Sequence, residues 1–261
     1  YARKLINTGK IVFSDMHLGH VPQYIRSGVY GKIDYGIVEC CCINEDGSYV
    51  PTLSVGASNA VAESCDKIIL EQNLAIPAEF EGMHDIAMPD ASLSGVSQRI
   101  GLTAVPCDLD KIAAIVINDD PGISPEFTEP DATSEAIAGQ IVDLLKYEVK
   151  AGHLPENFTI QSGFGAVANA VLDGLEQGNF KDLRMYTEVI QDGALNLIHK
   201  GCVSEASATA LSISHEGQRL LYGNLEEFRK KIVIRPQDVS NSGAIIKKLG
   251  IVAMNTAVEA D

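Results

Sequence analysis

Gln161-Ser162-Gly163-Phe164-Gly165-Ala166-Val167-Ala168-Asn169 is the stretch that decides the fold. It joins a short β-rich run, Phe158 to Gln161, to an apolar helical pattern, Ala166 to Glu176, closed by Gly178. Leu183 to Thr187 then reads as a second strand, and Ala194 to His199, closed by Gly201, as a second helix. Strand, glycine turn, helix and strand in this order predict an α/β fold on a largely parallel sheet. Glycines at such a turn let a ligand approach the backbone. The helix start that follows presents free N–H groups and favours negative charge there.

Upstream, Ile137, Ile141, Leu144, Leu145 and Val149 recur at helical spacing, with Thr133 or Ser134 as N-cap. Before them, the acidic, Pro/Gly-bearing stretch from Asp119 to Pro130-Asp131 reads as a linker, which divides the chain into domains 1–125 and 126–261. The first domain is expected to hold strands at Lys10 to Ser14, Ile33 to Ile43, Lys67 to Asn73 and Lys111 to Asn118. Helices are expected near Val21 to Arg26 and at Asn59 to Cys65, with a turn at Asn44-Glu45-Asp46-Gly47. Downstream, strands are expected at Ala208 to Ser214, Ile232 to Arg235 and Ile251 to Thr256, with helices at Leu225 to Lys230 and Ala244 to Leu249.

The 261 residues are 46% hydrophobic and 21% charged, which argues for a folded globular chain rather than a disordered one. A net charge of -15 has the wrong sign for a nucleic-acid binder, whose affinity comes mostly from phosphate neutralisation. No apolar run reaches the roughly 18 residues of a membrane span, so no membrane partner is expected. Six cysteines, three of them consecutive at Cys40, Cys41 and Cys42, suit neither a disulfide scaffold nor a zinc ribbon. They imply a reducing compartment, the cytoplasm or, in a eukaryote, the mitochondrial matrix. The chain opens without Met and stops directly after an apolar stretch, so a fragment is expected.

Gly163-x-Gly165-x-x-Ala168, with Glu188 about 20 positions on, fits the dinucleotide fingerprint. A nicotinamide dehydrogenase would use Glu188 to hold ribose hydroxyls, whereas a tight turn with no ligand satisfies the same pattern. His17-x-x-His20 lacks a third metal ligand nearby, and Cys40 to Cys42 read as core packing in an apolar strand. Arg229-Lys230-Lys231, Arg235 and Lys247-Lys248 concentrate positive charge that would steer phosphates or simply be solvated.

Several stretches together resemble a known family. They are Phe13-Ser14-Asp15-Met16-His17-Leu18-Gly19-His20-Val21-Pro22-Gln23, Thr52-Leu53-Ser54-Val55-Gly56, Glu81-Gly82-Met83-His84-Asp85, Arg99-Ile100-Gly101 and Ala151-Gly152-His153-Leu154-Pro155-Glu156-Asn157. The glycine loop, Met185-Tyr186-Thr187-Glu188, Arg235-Pro236-Gln237-Asp238-Val239-Ser240-Asn241 and Leu249 to Thr256 continue the pattern. In order and spacing these resemble the acetyl-CoA hydrolase/transferase branch of the class I coenzyme A transferases, which includes succinate, propionate and acetate CoA-transferases.

The resemblance implies two related open α/β/α domains, the second truncated, with the active site in the cleft between them. It implies CoA transfer between an acyl-CoA and a small acid such as succinate, acetate or propionate, or else acetyl-CoA hydrolysis. Glu188 is then the nucleophile that carries a glutamyl-CoA thioester, and Asn241 a donor to the developing oxyanion. Phe164, Gly165, Ala166, Val167 and Ala168, with Asn169 beside them, would contact CoA and form the oxyanion hole. Phe164 departs from the smaller aliphatic residue expected there. Coenzyme A is a substrate, no resident cofactor or metal is expected, and the assembly is expected to be a homodimer. A non-catalytic CoA-binding fragment remains the alternative from another class.

Overall fold

The computed structural model describes residues 2–87, 92–122, 124–125 and 130–254. Its first half contains α1 (Ala2–Asn7), α2 (Val21–Arg26), β1 (Ile33–Ile43), β2 (Tyr49–Pro51), α3 (Ser58–Ser64), β3 (Cys65–Asn73) and β4 (Ile112–Asn118). The strands form one sheet in the order β2-β1-β3-β4, parallel except for β2. Successive side chains on a strand face opposite sides. On β1, Val38 and Cys40 are therefore buried while Tyr35 and Ile37 are exposed. Helix α3 packs so closely on the buried face that a Cβ on Gly36 would lie 2.6 Å from Val61 Cγ1. The opposite face, and the edge strand β4 with Ile115, Val116 and Ile117, remain exposed.

The second half contains α4 (Ala132–Lys150), β5 (Thr159–Ser162), α5 (Ala166–Gln177), β6 (Leu183–Tyr186), β7 (Val189–Ile190), α6 (Asp192–His199), β8 (Val203–Ala208) and β9 (Ala210–Leu211). It closes with α7 (His215–Gly223), α8 (Leu225–Lys231), β10 (Ile232–Ile234), α9 (Gln237–Ser240), α10 (Gly243–Leu249) and β11 (Ile251–Met254). Five of these strands form a fully parallel sheet in the order β10-β8-β6-β5-β11. The chain steps from β5 through β6 and β8 to β10, then returns to the far side of β5 as β11. Helices α5, α6 and α8 pack in one cluster and α10 in the other, the division that right-handed crossovers between parallel strands produce when the strand order reverses. The core follows this division. Met185 packs in the large cluster with Leu172 and Leu195, while its neighbour Tyr186 packs in a second cluster with Ala87, Val96, Val239 and Ile245. Such a reversal of strand order opens a crevice at the carboxyl ends of the strands, where ligands bind in parallel sheets.

The two halves are stitched by backbone hydrogen bonds from Val55 N to Thr209 O, 3.0 Å, and from Leu211 N to Leu53 O, 2.8 Å. A buried ion pair, Arg235 to Asp85, joins them again; both side chains are fully buried. Four sequence expectations change. Lys10 to Ser14 is not a strand: it has no paired neighbour, and Val12 is 96% exposed. Asp131, rather than Thr133 or Ser134, caps α4 by accepting from Ser134 N at 2.7 Å. The strand expected at Ala208 to Ser214 begins earlier, as β8, and continues as the short β9. Arg235, counted among the basic residues, is enclosed rather than solvated. Residues 123 and 126–129 of the linker stretch, and Asn255-Thr256 of the last expected strand, lie outside the described residues.

Candidate active site

Glu188 occupies the break between β6 and β7, at the carboxyl end of the parallel sheet. Its carbonyl accepts from Thr209 N at 2.9 Å and Ala210 N at 3.3 Å. On one side, Thr187 Oγ1 donates to Ser162 O at 3.0 Å, and on the other Gln191 Nε2 donates to Gly163 O at 3.1 Å. The backbone around Glu188 is thus tied to the strand end that begins the glycine loop. The half-buried Glu188 side chain accepts a long hydrogen bond from Gln237 Nε2, 3.4 Å.

Glu188 and Asn241 line one cavity of about 220 Å³, together with His17, Gln161 and Ser240. Tyr186, Ile246 and Ile251 form its apolar side, which places it on the α10 face of the sheet. Phe164 to Asn169 lie outside this lining. The turn at Gly163 to Gly165 carries the chain to the other face, where α5 begins. Gly165 has φ 110° and ψ -179°, a conformation that only glycine adopts without strain. The N-cap of α5, Gly165, has no side chain to cap the helix, and Phe164 is 55% exposed.

The single turn α9 is held from several directions. Arg235 N donates to Ala208 O at 2.8 Å, Gln237 N to Gly56 O at 2.9 Å, and Tyr186 Oη to Val239 O at 2.7 Å. Arg235 also donates from Nε to Ser207 Oγ at 2.9 Å, while Asp85 accepts from Ile100 N at 2.9 Å. Burial pulls Arg235 down to about 10, so it remains a cation at neutral pH opposite Asp85. Beside it, His84 is buried with Nε2 2.9 Å from Thr52 O. A carbonyl only accepts, so Nε2 carries the proton. Burial lowers His84 to about 4, which keeps the ring neutral.

From the N-terminal region, Arg26 NH1 reaches Asp238 Oδ2 at 2.8 Å and fixes α2 against α9. The Leu18–His20 turn sits directly on Asn241, because a Cβ on Gly19 would meet Asn241 Cβ at 3.0 Å. His17 Nδ1 accepts from Gly19 N at 3.2 Å. Asn241 does not cap α10, whose N-cap is Ser242; it follows α9, and its Oδ1 is buried without a partner among the described residues. The sequence therefore names two members of this cavity, Glu188 and Asn241, and weighs His17 only as a metal ligand. Gln237 and Ser240 went unassigned, though both lie in the Arg235 to Asn241 stretch.

Other candidates resolve into packing. Cys40 and Cys41 are buried, and all six cysteines are free thiols. Lys231 is paired with Glu227 at 2.6 Å and donates to Ile198 O, so the basic cluster is partly spent on internal contacts. Among the described residues no group of three or more His, Cys, Asp or Glu is placed to hold a metal ion, and no helix is long and apolar enough to cross a membrane.

Residues 1–117 match the model of the acetyl-CoA hydrolase/transferase N-terminal domain. Over an alignment of 273 positions that takes in 99% of this chain, the sequence is 42% identical to acetyl-CoA hydrolase from Kluyveromyces lactis, covering 52% of that protein. The chain belongs to the acetyl-CoA hydrolase/transferase family. Succinyl-CoA:acetate CoA-transferase from Clostridium kluyveri is also 42% identical, over 99% of this chain and 50% of that protein. The chain thus spans about half the length of the curated relatives it matches. Two solved structures share its fold. RipA from Yersinia pestis superposes with a TM-score of 0.70 at 20% identity, over 97% of this chain and 54% of that one. The 4-hydroxybutyrate CoA-transferase from Porphyromonas gingivalis gives 0.65 at 22% identity, over 95% and 56%.

Proposed function

We propose that this chain carries the nucleophilic carboxylate of an acyl-CoA:carboxylate CoA-transferase, and that the carboxylate is Glu188. The observation that carries the reading is the meeting of Glu188 and Asn241 in one small cavity at the carboxyl end of a parallel sheet. Glu188 attacks the acyl carbon of the thioester, the C–S bond breaks, and CoA leaves as a thiolate with an acyl-glutamyl anhydride left behind. The thiolate then attacks the Glu188 carbonyl carbon and releases the first acid, which yields a glutamyl-CoA thioester. A second acid takes the acyl position by the reverse steps. Covalent catalysis thereby divides one hard exchange into easier ones.

Asn241 is suited to donate its amide N–H to the oxyanion that forms at each attack. Gln237, on the same turn, holds the Glu188 carboxylate in orientation. The contact of Phe164 to Asn169 with CoA rests on the family resemblance, and a glycine N-cap at α5, which lets a ligand approach the backbone, supports it. The cavity volume suits a short acid such as acetate, propionate or succinate. Hydrolysis is the second reading, since relatives 42% identical to this chain are named acetyl-CoA hydrolases and water in place of the second acid would complete the same cycle. We place the division between N- and C-terminal CoA-transferase domains near residue 125.

Exchange kinetics test the assignment. Glu188→Gln replaces the anion with a neutral amide of the same shape and should abolish CoA exchange. Glu188→Asp withdraws the carboxylate by one methylene, and a displacement of about 1 Å costs roughly a hundredfold in rate. Unchanged exchange in either folded variant would defeat the reading.

A further inference from the structure

Among the described residues three that bear hydroxyl groups line the Glu188 cavity, and their hydroxyls differ in one respect. Tyr186 Oη donates to Val239 O at 2.7 Å, and Thr187 Oγ1 donates to Ser162 O at 3.0 Å. Both are committed to the fold. Ser240 is only 3% exposed, yet among the described residues its Oγ has no hydrogen-bond partner, not even a carbonyl of its own turn. A buried polar atom left unpaired disfavours folding by about ten- to a hundredfold, so such groups are uncommon unless something else uses them. The neighbouring Asn241 Oδ1 is likewise buried and unpaired, and it lines the same cavity.

We infer that Ser240 is a substrate-contacting residue whose hydroxyl donates to a carboxylate oxygen of the small acid. This rests on the proposed role of Glu188 and extends it to the residue that recognises the acceptor. An ionised acid offers only hydrogen-bond acceptors, and it must lie against Glu188 for exchange to occur. Within the cavity Glu188 itself supplies the negative charge and already accepts from Gln237. A second anion there needs donors, and Ser240 is the buried hydroxyl not engaged by the protein. The single turn α9 then divides its work: Gln237 orients the nucleophile, Asp238 anchors the turn to Arg26, and Ser240 meets the acid.

The test is Ser240→Ala in the full-length protein, with Ser240→Cys as a second variant that keeps the size of the side chain but donates weakly. A hydrogen bond to a charged group contributes about a factor of ten to a hundred in affinity. Both variants should raise the KM for the acid at least about tenfold, and neither should lower the melting temperature of the ligand-free protein, because an unpaired buried hydroxyl does not stabilise the fold. An unchanged KM for the acid would overturn the inference. A loss of melting temperature in both variants would also overturn it, since the hydroxyl would then be structural. Glu188→Gln in the same assay separates the two levels. If that variant loses exchange while the Ser240 variants match wild type, only the Ser240 assignment fails; if it retains exchange, the reading of the whole site falls and Ser240 with it.

Discussion

Replacing Asp85 with Asn tests how α9 is held, because it leaves the Arg235 cation buried opposite a neutral amide. In the native protein both side chains are fully buried. Arg235 also donates to Ser207 Oγ at 2.9 Å and Val96 O at 3.1 Å, and Asp85 accepts from Ile100 N at 2.9 Å. Removing one member of such a pair costs about 3–5 kcal/mol, against a total stability of about 5–15 kcal/mol. With a urea slope of about 1–3 kcal/mol per molar, the midpoint should fall by at least about 1 M. Arg235→Met should do the same. The double variant Asp85→Asn with Arg235→Met removes both charges but leaves Ser207 Oγ and the Val96 and Gln98 carbonyls without their donor. It should therefore be less stable than wild type yet more stable than the sum of the single losses, by a coupling of at least about 2 kcal/mol. Far-UV circular dichroism during urea unfolding reads all three. Single losses below about 1 kcal/mol, or additive effects in the double variant, would refute the claim that this pair clamps the two halves.

Three further outcomes follow from local structure. His84 is lowered to about 4 in the folded protein from about 6.5 in the unfolded chain. The unfolded state therefore takes up a proton first, and stability should fall as pH drops from about 6.5 to about 4, by about 3 kcal/mol in all. Urea midpoints across that window should show this component in wild type, and it should be missing from His84→Gln measured against its own neutral-pH value. Gly165→Ala meets no atom within 4 Å, so only its φ of 110° opposes the change. The cost should be about 1–3 kcal/mol, read by thermal melts, and a neutral substitution would mean that the turn relaxes. Asp131→Ala removes the acceptor for Ser134 N and should cost about 1 kcal/mol, whereas Thr133→Ala should cost less because that residue is not the cap.

What the sequence made legible follows from local physics. β1 runs over Ile33–Ile43 as expected because its β-branched and cysteine residues suit a half-buried strand. The helical spacing from Ile137 to Val149 and the strand–glycine–helix pattern at 158–176 likewise depend on neighbours in the chain. Lys10 to Ser14 carries the same kind of residues as β1, but a strand exists only where another pairs with it, and Ile11, Val12 and Phe13 are exposed instead. β8 begins ahead of the strand expected from the sequence because Ser204, Ala206 and Ser207 lack strand propensity; the parallel neighbours β6 and β10 impose the conformation.

The candidate site divides in the same way. Glu188 stood out by its place after a strand and by family resemblance, and Asn241 by resemblance alone. His17 and Ser240 reach the same cavity from opposite ends of the chain, a convergence that no local spacing records. Arg235 looked like one of several surface cations, since nothing near it in sequence reveals the partner Asp85 that encloses it.

The most direct measurement of the central claim is the mass of the peptide spanning Met185 to Asp192 after the full-length protein is incubated with acyl-CoA and no acceptor acid. If Glu188 carries the glutamyl-CoA thioester, that peptide gains the mass of coenzyme A and loses it on treatment with hydroxylamine. An unmodified peptide in a protein that still exchanges CoA, or an adduct that persists in Glu188→Gln, would contradict the account.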